Sequence, residues 1–169
     1  TNYLALGAPK RNLIGVDLEE KKIRIAKQTI HKRKNINFKM ADVTKNGFNS
    51  NHYLMVDVLH HIDYMNQKKI LAAIARNMNE DSILVIKDVD SGNKLGFFFS
   101  HLIEKLLYPF VSIFARDKRS WSKIISKLGL EFKIYSGSFY FPDSTLIYVC
   151  KLKRNELPRS RTARYSQAK

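Results

Sequence analysis

The chain alternates between two kinds of apolar pattern, and this alternation restricts its fold more than any other feature. Apolar runs of strand length, such as residues 13–16 and 82–86, alternate with stretches of helical periodicity, such as 19–31 and 66–78. Strands that alternate with helices build a parallel sheet, because a parallel connection needs a crossover long enough to hold a helix. The pattern therefore predicts an α/β fold.

The run at 95–115 interrupts the alternation because it is unusually apolar. It is expected to form one or two helices, kinked or split near Pro109. Since Glu104 and Lys105 lie inside the run, we do not expect it to cross a membrane. A lid over an apolar pocket or a helix on a lipid surface fits its composition better.

The rest of the apolar pattern predicts one further helix and four further strands. A helix is predicted at 120–128, with Gly129 as its C-cap. Further strands are predicted at 37–40, 52–56, 131–140 and 146–152.

Net charge restricts the kinds of partner that the protein binds, and cysteine content restricts its cellular location. Thirty Lys and Arg against fifteen Asp and Glu give a formal net charge of +15, a positive field that attracts nucleic acid, anionic lipid or an anionic small molecule. Seven of the positive side chains lie in 151–169. We expect one domain at 1–153 followed by a basic, disordered tail at 154–169. The single cysteine, Cys150, excludes an internal disulfide and favours a cytoplasmic location.

Acidic residues stand where predicted strands end, at Asp17, Asp42 and Asp88. Ligands of open α/β sheets bind at the carboxyl ends of the strands. In nucleotide-binding units an acid at the end of the second strand, about 20 residues after a glycine-rich loop, binds the ribose. Asp17 fits that position, so the loop is expected upstream of Thr1 and the chain is expected to be N-terminally incomplete. Helix capping is the competing role for Asp17.

Four segments resemble the class I S-adenosylmethionine-dependent methyltransferases, in particular the branch that acts on small molecules. They read LIGVDLEEKKIRIAKQ, INFKMADVT, YLMVDVLHHI and RSWSKIISKLGLEFKIYS, and the resemblance spans residues 1–152. It implies a Rossmann-like, mostly parallel sheet with helices on both faces and an antiparallel last strand. It also implies S-adenosylmethionine as the cofactor.

The resemblance assigns cofactor contacts at three strand ends. The acid of the first segment would hold the ribose, and the side chain after it would pack on adenine. The acid of the second segment would receive the adenine amino group, and the next backbone amide would contact a ring nitrogen. The acid of the third segment and the residue after it would border the methionine part and the methyl group. In chain order these contacts are Asp17, Leu18, Asp42, Val43, Asp57 and Val58.

His60 and His61 complete the third segment and are candidate catalytic residues. The resemblance places them near the acceptor, and imidazole can act as a general base because its pKa lies close to neutrality. Asp88 is a third candidate, since it stands at the edge of the sheet where ligands bind. Adjacent histidines are not expected to share one face, and their spacing is not that of a helical metal pair, so no metal is predicted.

Structural roles compete with these assignments. The histidines can be satisfied by the local backbone, Asp42 can form an Asx turn, and Asp57 and Asp88 can cap the segments that follow them. For the run at 95–115, packing as a lid or core helix competes with lipid contact.

Together these residues predict methyl transfer from S-adenosylmethionine to an oxygen, nitrogen or carbon of a small, apolar or lipid-like acceptor. A catalytically inactive binding or scaffold domain is one alternative. A nucleic-acid methyltransferase is another, although the chain lacks an Asp/Asn-Pro-Pro-Tyr/Phe motif for a flipped base. A nicotinamide dehydrogenase would share the acid of the second strand. The expected partners are the small acceptor and, through 95–115, a lipid surface.

Overall fold

The computed structural model describes residues 2–30, 34–43, 45, 50–107, 109–136 and 144–153. The chain divides into two compact units, 1–47 and 48–169. The predicted tail at 154–169 and the end of the strand predicted at 131–140 lie outside the described residues.

The first unit is a strand–helix–strand unit preceded by a short helix. Its elements are α1 (Asn2–Gly7), β1 (Leu13–Asp17), α2 (Glu20–Gln28) and β2 (Ile36–Met40). β1 and β2 are parallel, which confirms the predicted strand–acid–helix pattern. Gly15 of β1 lies against Phe38 of β2 so closely that a side-chain carbon at Gly15 would overlap the ring. The small core of this unit consists of Ala5, Ile23, Ile36 and Phe38.

The second unit holds the remaining elements. In chain order these are β3 (His52–Val56), a 3₁₀ turn (Leu59–His61), α3 (Tyr64–Asn77), β4 (Ile83–Val89), α4 (Lys94–Leu107), α5 (Lys118–Lys127), β5 (Leu130–Ser136) and β6 (Thr145–Leu152). Asp63 and Asp117 are the N-cap residues of α3 and α5. Their carboxylates accept hydrogen bonds from first-turn amides. After α5, Gly129 has φ 73°. This left-handed conformation confirms the predicted C-cap.

The four strands of the second unit form one mixed sheet in the order β3–β4–β6–β5. β3 and β4 are parallel, and β6 is antiparallel to both of its neighbours. The expected antiparallel last strand is therefore confirmed. The sheet is mixed instead of mostly parallel, because β6 inserts between β4 and β5 and makes both of those pairings antiparallel. Helices on both faces of the sheet stay a prediction.

β4 is longer than its sequence pattern predicts. The apolar run ends at Ile86, but pairing with β6 continues to Val89, which lies opposite Thr145. Alternate residues of a strand face the same side, and Leu84, Ile86 and Asp88 are all buried. Asp88, expected directly after the strand, therefore lies within it, on the face that packs into the core.

The core of the second unit joins α3, α5 and three strands. Cys150 of β6 is part of this core, and burial raises the pKa of its thiol to about 12. A thiol that stays protonated is a poor nucleophile, so Cys150 serves packing. The buried members are Leu59, Leu71, Ala75, Met78, Leu84, Ile86, Trp121, Ile125, Leu130, Tyr148 and Cys150.

The apolar run at 95–115 forms one helix, α4, which ends before Pro109. Among the described residues after it, 109–116 form no second helix. This segment bonds to the turn after β3 instead, because the amide of Phe114 donates to the carbonyl of His60 at 2.7 Å. In the described part of the chain no helix is long and apolar enough to cross a membrane.

Candidate functional site

The chain leaves β3 through a left-handed residue, Asp57, with φ 53°. Asp and Asn tolerate this conformation better than other residues with a side chain. The turn that follows places Leu59 and His60 in buried positions and leaves Val58 largely exposed. Nζ of Lys87 lies 3.0 and 2.7 Å from the two carboxylate oxygens of Asp57. This pairing was not predicted from the sequence.

Asp88 fixes the backbone and the ring of His60. Its Oδ2 accepts the backbone amide of His60 at 3.0 Å, and its Oδ1 pairs with Nδ1 of the imidazole. Oδ1 also accepts the amide of Val89 at 2.9 Å. Since Asp88 is only 2% exposed, it meets few competing water molecules. The structure thus joins two of the candidate catalytic residues in one buried pair.

The second ring nitrogen of His60 faces α4. When Nδ1 donates to Asp88, Nε2 is left with its lone pair. Nε2 is buried and has no hydrogen-bond partner among the described residues. The closest carboxylate is that of Glu104 on α4, with its Oε1 3.7 Å from Nε2. A basic nitrogen is therefore presented in the protein interior.

His61 points to the same carboxylate. Its Nε2 lies 3.9 Å from Oε2 of Glu104, and the centroids of the two imidazole rings are 4.0 Å apart. The expectation that adjacent histidines cannot share one face is therefore wrong here. The two residues lie in a tight 3₁₀ turn, and their side chains converge on one residue of α4.

Opposing effects set the pKa of His60. Burial lowers it, whereas the hydrogen bond to Asp88 and the negative charges of Asp88, Glu104 and Asp57 raise it. The raising effects are larger together, so the pKa lies above its ordinary value of 6.5. A nitrogen with a raised pKa is a stronger proton acceptor than a free imidazole.

Gln67 holds the histidine turn in place, and sequence reasoning missed it. This fully buried residue of α3 donates from Nε2 to the carbonyls of Leu59, Ile62 and Phe114 at 2.8–2.9 Å. Its Oε1 accepts Nε of Arg116 at 2.6 Å. The available signal was a glutamine on the apolar face of a predicted helix, three and four residues before buried aliphatic positions.

In the first unit, Asp17 ends β1 and Asp42 follows β2, the neighbouring parallel strand, at one edge of the sheet. The amide of Ala41 donates to the carbonyl of Asp17 at 3.1 Å, which ties the start of the second loop to the end of β1. Oδ1 of Asp17 accepts the amide of Glu19 at 2.9 Å. Asp17 therefore stabilises the backbone before α2, and this contact is compatible with a second role.

The neighbours of these acids include an exposed apolar side chain and loop amides. Leu18 is 62% exposed beside Asp17, so an apolar side chain is available to pack on a flat ring. Asp42 forms an ion pair with Lys45 at 3.5 Å, and Val43 lies in the turn that follows β2. Carboxylates at strand ends, an exposed apolar side chain and loop amides are the groups that nucleoside recognition uses in open α/β sheets.

Comparison with known protein families supports the resemblance to methyltransferases. Residues 1–81 match the family described as methyltransferase domain. No curated protein matches the chain in sequence. The match covers the segments around Asp17, Asp42 and His60, so residues 1–81 are similar to the methyltransferase domain of class I S-adenosylmethionine-dependent enzymes. S-adenosylmethionine is the cofactor of that family.

Solved structures extend the likeness in fold beyond residue 81. A protein from Pyrococcus horikoshii OT3 is 17% identical, with a TM-score of 0.69, over 90% of this chain and 76% of that one. Human N-acetylserotonin methyltransferase in complex with S-adenosylmethionine is 14% identical, with a TM-score of 0.71, over 89% of this chain and 43% of its own. A pericyclic reaction enzyme is 18% identical, with a TM-score of 0.67, over 90% and 39%.

At these identities the likeness shows the fold, and a fold alone does not define a reaction. The chain spans less than half of the human methyltransferase and of the pericyclic enzyme.

Proposed function

We propose that this protein transfers a methyl group from S-adenosylmethionine to a hydroxyl or amine of a small, apolar acceptor, with His60 as the general base. The observation that carries the proposal is Nε2 of His60, a buried basic nitrogen oriented by Asp88. A general base must offer a lone pair in a fixed orientation, and the pairing of Nδ1 with Asp88 supports this role for Nε2 of the neutral ring.

His60 and Asp88 have separate roles in the proposed methyl transfer. When bound, S-adenosylmethionine supplies an activated methyl group. As the bond between the acceptor oxygen or nitrogen and the methyl carbon forms and the carbon–sulfur bond breaks, Nε2 of His60 accepts the proton of the acceptor. Asp88 keeps the proton of the ring on Nδ1 and stabilises the imidazolium that results, as a buried carboxylate does in other histidine bases. The remaining contribution of the protein is alignment of the two reactants.

For the cofactor we propose the contacts that the family resemblance assigns. Asp17 binds the ribose hydroxyls and Leu18 packs on adenine. Asp42 and the amide of Val43 bind the edge of the adenine ring. Asp57 and Val58 border the methionine part, with Asp57 held by Lys87.

The Asp17→Ala variant should bind S-adenosylmethionine about 10–100-fold more weakly, because a hydrogen bond to a charged group contributes about 1.5–3 kcal/mol. Isothermal titration of the wild-type chain and the variant with S-adenosylmethionine and S-adenosylhomocysteine measures this. Glu20→Ala, an exposed acid in the first turn of α2, is the matched control and should bind normally. If the wild-type chain binds neither compound, the proposed function is wrong.

The exposed apolar face of α4 supports two proposals. The acceptor is apolar, and the protein meets it at a lipid surface. Six apolar side chains of this region are each more than half exposed: Leu95, Phe98, Leu102, Leu106, Leu107 and Phe110. An apolar helix face on a chain with a net charge of +15 suits an anionic bilayer, into which the side chains insert while basic residues meet the headgroups. We therefore propose that α4 contacts anionic lipid.

Vesicle co-sedimentation tests this contact. The wild-type chain should bind vesicles of phosphatidylglycerol and phosphatidylcholine better than vesicles of phosphatidylcholine alone. Replacing Phe98, Leu102 and Leu106 together by Ser should weaken binding at least about tenfold, since each inserted side chain contributes about 1.5–3 kcal/mol when fully buried. Met65→Ser, a change at an exposed methionine of α3, should have no effect. Equal binding by the triple variant, or dimerisation through α4 without lipid binding, would contradict the proposal.

A further inference from the structure

Three potential metal ligands converge between the histidine turn and α4. One ring nitrogen of His60, one of His61 and a carboxylate oxygen of Glu104 lie within 4.8 Å of one another. The side chain of His60 is 2% exposed, that of Glu104 25% and that of His61 32%. The group is therefore buried at one end and open to solvent at the other, which gives a cation a way in.

Two atoms of this cluster lack a hydrogen-bond partner among the described residues. They are Nε2 of His60 and Oε2 of Glu104, and both are buried. The nitrogen–oxygen separations of 3.7 and 3.9 Å are too long for hydrogen bonds. Because buried polar atoms are costly when unpaired, this arrangement favours a further group that contacts both atoms.

The geometry fits a transition-metal ion. Zinc bonds to histidine nitrogen and carboxylate oxygen are about 2.0–2.2 Å long, which places the ligand atoms of a tetrahedral site about 3.3–3.5 Å apart. The two nitrogen–oxygen separations, 3.7 and 3.9 Å, are somewhat longer, and the three ligand atoms lie within 4.8 Å of one another. Side-chain rotations of His61 and Glu104 would bring the ligand atoms to bonding distance of one ion. Three protein ligands leave the fourth position open.

Asp88 orients the ring of His60 for metal binding. Metal-binding histidines commonly donate their other ring N–H to a carboxylate, which fixes the tautomer and makes the ligand nitrogen more basic. Asp88 pairs with Nδ1 of His60 in this way. The donor set of two imidazoles and one carboxylate favours zinc, cobalt or nickel over magnesium or calcium, which prefer oxygen ligands.

We infer that His60, His61 and Glu104 bind a divalent transition-metal cation, and that its binding inhibits methyl transfer. The inhibitory part rests on the proposed function. A cation on Nε2 of His60 occupies the lone pair that accepts the proton of the acceptor, so cation and base cannot act together. The binding part depends on neither the cofactor nor the acceptor.

Titration of the chain with Zn²⁺, and with Co²⁺ as a spectroscopic probe, tests the binding part without cofactor. The wild-type chain should bind one ion, and Co²⁺ should show the intense visible absorption of a tetrahedral site. Both Glu104→Gln and His61→Ala should weaken binding at least about tenfold. His52→Gln removes a histidine outside the cluster and should bind normally. Absence of binding, or equal binding by Glu104→Gln in a folded variant, would overturn the inference.

The inhibitory part has its own readout. Saturating Zn²⁺ should reduce the formation of S-adenosylhomocysteine at least about tenfold, and a chelator should restore it. Glu104→Gln should be inhibited only at much higher zinc concentration. Full activity with zinc bound would overturn the inhibitory part. A chain that binds zinc but not S-adenosylmethionine would refute the proposed function and leave the cation site standing.

Discussion

His60→Asn should lower the rate of methyl transfer by about 10²–10⁴-fold, the usual contribution of a general base. The asparagine amide can still donate to Asp88 from the position of Nδ1, but nothing replaces Nε2. The variant therefore removes the proton acceptor and keeps the buried hydrogen bond. The measurement is formation of S-adenosylhomocysteine under single-turnover conditions, with hydroxylated aromatic and lipid-like compounds as acceptors.

Two controls separate the role of His60 in catalysis from a role in folding or cofactor binding. Isothermal titration should give the same affinity for S-adenosylmethionine in His60→Asn and in the wild-type chain. His61→Asn should lose much less activity, because Asp88 pairs with the ring of His60 and His61 lies at the more exposed end of the cluster. A His60→Asn variant that keeps a third or more of the wild-type rate would show that this nitrogen is not the base.

Local patterns were enough to locate most of the elements. β3 was predicted at its observed bounds, because an apolar run between polar residues is a complete signal for a short strand. Asp17 was placed at the end of β1 for the same reason. Gly129 was identified as a C-cap because few other residues adopt a left-handed conformation after a helix.

The orientation of Asp88 could not be predicted, because it depends on a distant strand. The apolar run of β4 ends before Asp88, and only pairing with β6, about sixty residues later in the chain, extends the strand past it. That pairing turns the carboxylate toward the core and toward His60. The sequence indicated an acid near the sheet edge, whereas the pairing of β4 with β6 makes it the partner of the base.

Glu104 was missed because its role depends on how α4 packs. In the sequence it is a charge that interrupts an apolar run, and it served to argue against a membrane span. In the structure the same carboxylate lies on the half-buried side of α4, within 4 Å of both histidines. Helical periodicity shows which residues share a face, but it does not identify the residues that this face meets.

Gln67→Leu should lower the free energy of unfolding by about 2–4 kcal/mol, because it removes several buried hydrogen bonds at once. Leucine has a similar volume but neither donates nor accepts. The carbonyls of Leu59, Ile62 and Phe114 would lose their donor, and Nε of Arg116 would lose its acceptor. Urea denaturation followed by circular dichroism measures the change. Lys68→Ala, the exposed neighbour on α3, should stay within about 0.5 kcal/mol of the wild-type chain.

A second measurement tests whether Gln67 positions the base as well as stabilising the fold. Gln67 is bonded to both ends of the turn that carries His60 and His61, so its loss should let the imidazole move relative to the acceptor. At a temperature where Gln67→Leu is fully folded, kcat should fall at least about tenfold, since catalysis is sensitive to misplacement of the order of 1 Å. The affinity for S-adenosylmethionine should fall less than kcat, because four of the six proposed cofactor contacts lie in the first unit and only Asp57 and Val58 adjoin the turn. A loss of stability with an unchanged kcat would restrict Gln67 to a structural role.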